Sequence, residues 1–193
     1  MNSKRSFNSI ETASNEEMKD ILLLIMKWFI KRGRGCPFNY NRGIEFLQAG
    51  LFGFQLTSVG GGSDGVNEQG VTAEFKATDY RGSHLSHAFS YNGTTRKETL
   101  SEQEEYCRQK IMRDDFHYWS IIDKANGKFI KTYKIPAKTV WDLVWPRWEE
   151  SFWKTTLADT RIGGKVSTHK LENLKGPNAG CFEVIIHPDT NID

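Results

Sequence analysis

Cysteine and proline are scarce in this chain, three and five among 193 residues. Cys36, Cys107 and Cys181 are odd in number, widely spaced and outside any C-x-x-C pair. That pattern excludes a disulfide scaffold and a cysteine-based zinc site, and it predicts reduced thiols in the cytoplasm. Long apolar runs are missing too. The longest, 21–26, is far too short to cross a bilayer, and no secretory leader is apparent, so a soluble chain without membrane partners is expected. Charge of one sign is also lacking: 26 basic residues face 24 acidic ones, for a net +2. Binding to nucleic acid therefore has to come from a local basic face and not from a global field. No P-loop, internal repeat or low-complexity tract is present, which removes nucleotide-driven machines and solenoids from consideration.

What is present is a globular composition, 38% hydrophobic and 26% charged, rich in aromatics at 12% with six tryptophans. The length fits one core, with an α/β (α+β) order of elements. Ser14 or Asn15 caps a predicted helix in which Met18, Ile21, Leu22, Ile25, Trp28 and Phe29 recur at helical spacing, suited to packing on the body or on a partner subunit. Lys31, Arg32 and Arg34 follow, as a basic helix terminus or a phosphate contact. A second helix is predicted over 39–50 and a strand over 54–59. Ser101 with Glu104 reads as a capping box for a third helix ending near Arg113. Strands over 116–122 and 128–135 flank a hairpin turn at 123–127, Pro136 opens a helix or turn through Trp148, and 182–187 is a last strand.

The stretch 60–79 carries the chemistry. In 71–77 side chains alternate, so Val71, Ala73, Phe75 and Ala77 can face a core while Thr72, Glu74 and Lys76 share the other face. Gly60 to Gly62 permit a bend before Asp64, and a turn at 67–70 brings Asp64 back beside Glu74. Two carboxylates at that distance repel unless a divalent cation lies between them, and a neighbouring lysine can orient a water. An acid-x-lysine triplet also occurs at Glu17-Met18-Lys19, but there it lies within an amphipathic helix with no acid on a preceding bend. The plainer reading of Glu74 and Lys76 is a solvated strand face with an ion pair.

Asp64 followed by Glu74-Phe75-Lys76 resembles the PD-(D/E)XK nuclease motif shared by many type II restriction endonucleases, with Ser63 where that family often has proline. The resemblance implies an αβββαβ core with a mixed central sheet flanked by helices, covering about 39–123, after an N-terminal helix and loop at 1–38 and before an accessory segment at 124–193. It implies Mg²⁺, with Mn²⁺ able to substitute, held by Asp64, Glu74 and the Phe75 backbone carbonyl, with Glu45 as a candidate third carboxylate. Lys76 would position or activate the attacking water. The implied activity is site-specific cleavage of double-stranded DNA by a homodimer, in a bacterial, archaeal or viral cytoplasm. Repair, homing or junction-resolving nucleases of the same superfamily and a non-catalytic DNA-binding protein are the alternatives.

Two segments supply candidate DNA contacts. The span 80–98 reads as a long polar loop and holds Arg81, His84, His87, Tyr91, Asn92, Arg96 and Lys97, donors suited to phosphates and base edges. In the C-terminal stretch Arg161, Lys165, His169 and Lys170 are interleaved with Gly163 and Gly164, as a DNA-facing segment or a solvated loop and short helix.

Overall fold

The structure, a computed structural model, describes residues 14–38, 41–58, 62–82, 86–156 and 161–187. His84 and the glycines at 60 and 61 lie outside them. In chain order the described elements are α1 (Asn15–Lys31), α2 (Arg42–Leu51), β1 (Gln55–Leu56), β2 (Gly65–Val66), β3 (Thr72–Asp79), β4 (Ala88–Thr95) and α3 (Leu100–Met112). They continue with β5 (Phe116–Asp123), β6 (Lys128–Pro136), α4 (Ala137–Lys154), β7 (Arg161–Ser167), α5 (Thr168–Glu172) and β8 (Glu183–Ile186). No helix among the described residues is long and apolar enough to cross a membrane.

Six strands form a mixed sheet in the order β1-β2-β3-β5-β6-β8. β3 and β5 run parallel, with Glu74 beside His117 and Lys76 beside Trp119; the other neighbours are antiparallel. The alternation predicted for β3 holds. Ala73 and Phe75 turn toward α2 and join Phe29, Ala49, Phe54, Leu56 and Tyr118 in one cluster. On the opposite face Trp119, Ile121, Tyr133 and Ile135 pack against α3, α4, β4 and β7 in a larger one. Trp148 and Trp119 are completely buried there.

Four local expectations change. The span 80–98 is not a loop throughout: β4 occupies its second half, pairing antiparallel with β7 as a separate ribbon. Phe89 and Tyr91 face the core while Ala88, Ser90 and Asn92 face outward, so a half-polar strand read as irregular. The cap of α3 is Thr99 with Glu102, both reciprocal bonds being present, two residues ahead of the predicted Ser101 and Glu104. α4 runs past Trp148 to Lys154 with Pro146 inside it, because Trp148 and Phe152 are core residues that hold its second half down. The stretch after 124 completes both sheets: β6 and β8 extend the main one and β7 the ribbon. At the N-terminus Ser14, one of the two candidates, is the cap of α1, through a full capping box with Glu17.

The cap assignment is testable by urea unfolding. Thr99→Ala is expected to cost about 1 kcal/mol, and Ser101→Ala, on an exposed first-turn position, to stay within about 0.5 kcal/mol of wild type. The reverse ranking would place the helix start at Ser101.

Candidate functional site

The site begins at an edge that a short strand leaves open. β2 is two residues long, and where the next bond of its ladder with β3 would fall, Asp64 supplies a side chain instead. The Asp64 N–H donates to the Ala73 carbonyl at 3.0 Å, and its Oδ2 accepts the Phe75 N–H at 2.8 Å. Within an extended strand the N–H and C=O of one residue point to the same edge, so the Phe75 carbonyl shares that edge with the Asp64 carboxyl. Gly65 is required beside it. A Cβ there would sit 2.8 Å from the Phe75 ring and 3.2 Å from Phe54 Cβ. The bend is held from the other side by Thr57, whose N–H donates to the Asp64 carbonyl at 2.9 Å and whose hydroxyl donates to the Ser63 carbonyl.

Glu74 and Lys76 meet as the strand period requires. Lys76 Nζ lies 2.9 Å from Glu74 Oε1, and Arg113 Nη2, from the end of α3, lies 3.3 Å from Oε2. Arg113 also reaches Asp114 Oδ2 at 3.3 Å. The Asp114 carboxyl is buried beside the Ser63 hydroxyl, and burial pushes its pKa up. Burial also drives Asp64 up, helped by the charges of Glu74 and Glu45, to about 8. Glu74 moves the other way: burial raises it, but the cations Lys76, which also hydrogen-bonds it, and Arg113 pull it below its usual range. The pair therefore carries one negative charge, on Glu74, and one proton, on Asp64.

Beneath Lys76 lies a fully committed polar chain. Trp119 Nε1 donates to the Tyr91 hydroxyl at 2.7 Å, which is 2.9 Å from His117 Nδ1, while His117 Nε2 is 3.1 Å from the Ile111 carbonyl. A carbonyl only accepts, so Nε2 carries the proton and Nδ1 accepts from Tyr91. Burial holds His117 in this neutral form, its pKa lowered to about 4. The Tyr91 ring also receives Lys76 Nζ 4.7 Å from its centroid. On the opposite sheet face the buried Gln48 donates to the Lys76 carbonyl at 3.2 Å and to Ser120 Oγ at 2.8 Å.

These groups open into a cleft of about 440 Å³ whose lining comprises Asp64, Glu74, Phe75, Lys76 and Glu45 together with Arg81, the start of β4 and Lys165. Glu45 is thus brought to the site, half-buried and paired with Arg42 at 2.9 Å. The predicted DNA contacts divide. Arg81 and Lys165 line the cleft. His87 also does, but it is 6% exposed, stacks on Tyr80 and accepts the Arg81 N–H at 3.3 Å, which makes it a prop for that segment. Asn92 and Arg161 lie exposed along the ribbon. Tyr91 is interior, its hydroxyl spent on Trp119 and His117, so it offers no hydrogen bond to a ligand. Arg96 stacks over Phe152 at 4.1 Å and Lys97 over Tyr106 at 4.8 Å. His169 and Lys170 border a separate groove with Asp142 and Glu150.

Sequence reasoning missed Arg113, Asp114 and His117. Their only signal is the parallel pairing of β3 with β5, which follows from nothing local. Among the described residues no three His, Cys, Asp or Glu side chains form a ready metal cage. The edge offers two carboxyls and a backbone carbonyl, and both Glu74 oxygens already meet cations. A divalent ion would fit this donor set by taking the place of the proton that burial, with the charges of Glu74 and Glu45, keeps on Asp64.

In metal-free buffer the folded chain holds a proton on Asp64 that an unfolded carboxyl, near pKa 3.9, has released. The stabilisation is complete below about pH 4, falls as pH rises and is lost through about 8, with a limiting slope of about 1.4 kcal/mol per pH unit. Asp64→Asn should flatten this decline. Urea midpoints that fall in parallel for both proteins would contradict the shift.

No family model matches the chain, and no curated protein matches it significantly.

Proposed function

We propose that this chain is a Mg²⁺-dependent endonuclease acting on double-stranded DNA, site-specific in the manner of the type II restriction enzymes its motif resembles. The observation that carries the reading is the convergence of Asp64, Glu74 and Lys76 in one cleft, with Asp64 pinned to the Phe75 N–H and its pKa raised by burial and by the charges of Glu74 and Glu45. The order of α2, β1, β2, β3, α3 and β5 agrees with the helix–strand–strand–strand–helix–strand core that the resemblance implies, β4 being inserted between β3 and α3.

Asp64, Glu74 and the Phe75 carbonyl would hold Mg²⁺, or Mn²⁺ in its place, with Glu45 at the margin. Bound there, the ion would acidify a water and offset charge on a phosphate. Lys76, between Glu74 and the Tyr91 face, directs its ammonium into the cleft, where it can orient the attacking water and stabilise the phosphorane-like charge. Water adds to phosphorus and the bond to the 3′ oxygen breaks, leaving a 5′-phosphate and a 3′-hydroxyl. Arg113 pairs with both Glu74 Oε2 and Asp114 Oδ2 at 3.3 Å, and its contact with Asp114 would keep its charge partnered were Glu74 Oε2 to hold an ion. Arg81 and Lys165, in the lining of the same cleft, supply cations to the DNA backbone.

Incubation of unmethylated phage DNA with wild type and Lys76→Ala, with and without Mg²⁺, tests this directly. Discrete Mg²⁺-dependent fragments are expected from wild type, with cutting reduced about 100-fold or more in the variant. Cutting by Lys76→Ala at the wild-type rate would remove the assigned roles. Salt-sensitive DNA binding without cleavage in any metal would favour a binding module instead.

A further inference from the structure

Three guanidinium groups gather where α1 gives way to α2. α1 ends in a left-handed turn: the Gly33 N–H donates to the Ile30 carbonyl at 3.0 Å and the Arg34 N–H to the Phe29 carbonyl at 2.9 Å, with Gly33 at φ 66°. The turn folds the chain back on the helix end, so Arg32 and Arg34 both lie over the ring of Trp28, 4.3 and 5.0 Å from its centroid. Arg42, the first residue of α2, holds the loop there by donating from Nε to the Arg34 carbonyl at 2.9 Å.

The cations outnumber the acids beside them. Glu45 pairs with Arg42 at 2.9 Å, and among the described residues no carboxylate pairs with Arg32 or Arg34. The C-terminal dipole of α1 favours a cation at its cap, which accounts for Arg32. It does not account for the rest. Arg34 is half-buried, and burial with the charges of Arg32 and Arg42 pulls its pKa down. Arg42 opens a helix, where a positive charge is disfavoured. The indole face attracts a guanidinium but carries no net charge to cancel it. Arg42 is spent on Arg34, Glu45 and the Thr57 carbonyl, so the forks of Arg32 and Arg34 are the ones left to receive a ligand. Such forks match phosphate oxygens. Through Arg42 the pair adjoins Glu45, which with Asn41 lines the cleft.

We infer that Arg32 and Arg34 form a phosphate subsite for the DNA backbone beyond the cleft lining, on the α2 side of Glu45, with Gly33 and Trp28 as the frame that sets their positions. The inference rests on the DNA reading of the cleft and adds to it a contact made by the end of the N-terminal helix.

Fluorescence anisotropy of a labelled DNA duplex with the full chain, in EDTA so that nothing is cut, tests this across a salt series. Wild-type affinity is expected to fall as salt rises. Arg32→Gln combined with Arg34→Gln should weaken binding about tenfold or more at low salt and make the log–log slope shallower by about 1.8, the share of two phosphate contacts. Arg32→Gln alone, at an exposed position, should give about half of that change in slope. Arg32→Lys combined with Arg34→Lys keeps both charges and should keep the slope. Glutamine variants that lose stability toward urea yet keep the wild-type slope would show arginines that only finish the helix, and overturn the proposal. So would a lysine pair whose slope drops with that of the glutamine pair, or a wild type that binds no duplex. Cleavage is read separately in Mg²⁺: a slope that responds to the arginines in a chain that never cuts keeps the subsite and removes the nuclease, and an unresponsive slope in a chain that cuts does the reverse.

Discussion

Two carboxyls sharing one strand edge repel when both are ionised, and the arrangement around the cleft answers to that constraint. Glu74 keeps its charge because Lys76 and Arg113 each take one of its oxygens. Asp64 keeps its proton because it is buried beside that charge and Glu45, even though its Oδ2 accepts the Phe75 N–H, a bond that favours ionisation. The result is one buried negative charge held by two cations, beside a carboxyl that burial and that charge keep protonated.

The fold supplies this edge through one deliberate shortfall and one long-range pairing. β2 stops after two residues, so Asp64 completes the ladder with a side chain where a longer strand would have used backbone. The parallel register of β3 on β5 then sets His117 beside Glu74 and brings Arg113 and Asp114 up from the preceding helix end. Under Lys76, the chain from Trp119 through Tyr91 and His117 to Ile111 leaves none of its own ring nitrogens or its hydroxyl unpaired. Trp148 ties in the same strand by donating to the Tyr91 carbonyl at 3.1 Å.

Most of this was legible where the signal was local. The period of two in β3, the bend at Asp64 and the hairpin of β5 with β6 all follow from neighbouring residues, and they place Asp64, Glu74 and Lys76 together. β4 was hidden because its outward half is polar and its partner β7 lies far along the chain. Tyr91 looked like a free donor because nothing nearby announces Trp119 and His117 as its partners. The start of α3 was ambiguous for a different reason: Thr99-x-x-Glu102 and Ser101-x-x-Glu104 both satisfy the capping pattern, and only the partly buried Leu100 decides between them.

The most direct test of the coupled edge is a carboxyl ¹³C NMR titration of Asp64 in metal-free wild type. The structure predicts a midpoint near 8 that falls when Glu74→Gln removes the adjacent charge and falls again in wild type when Mg²⁺ is added. A wild-type midpoint near the ordinary aspartate value of about 3.9, unmoved by either change, would contradict it.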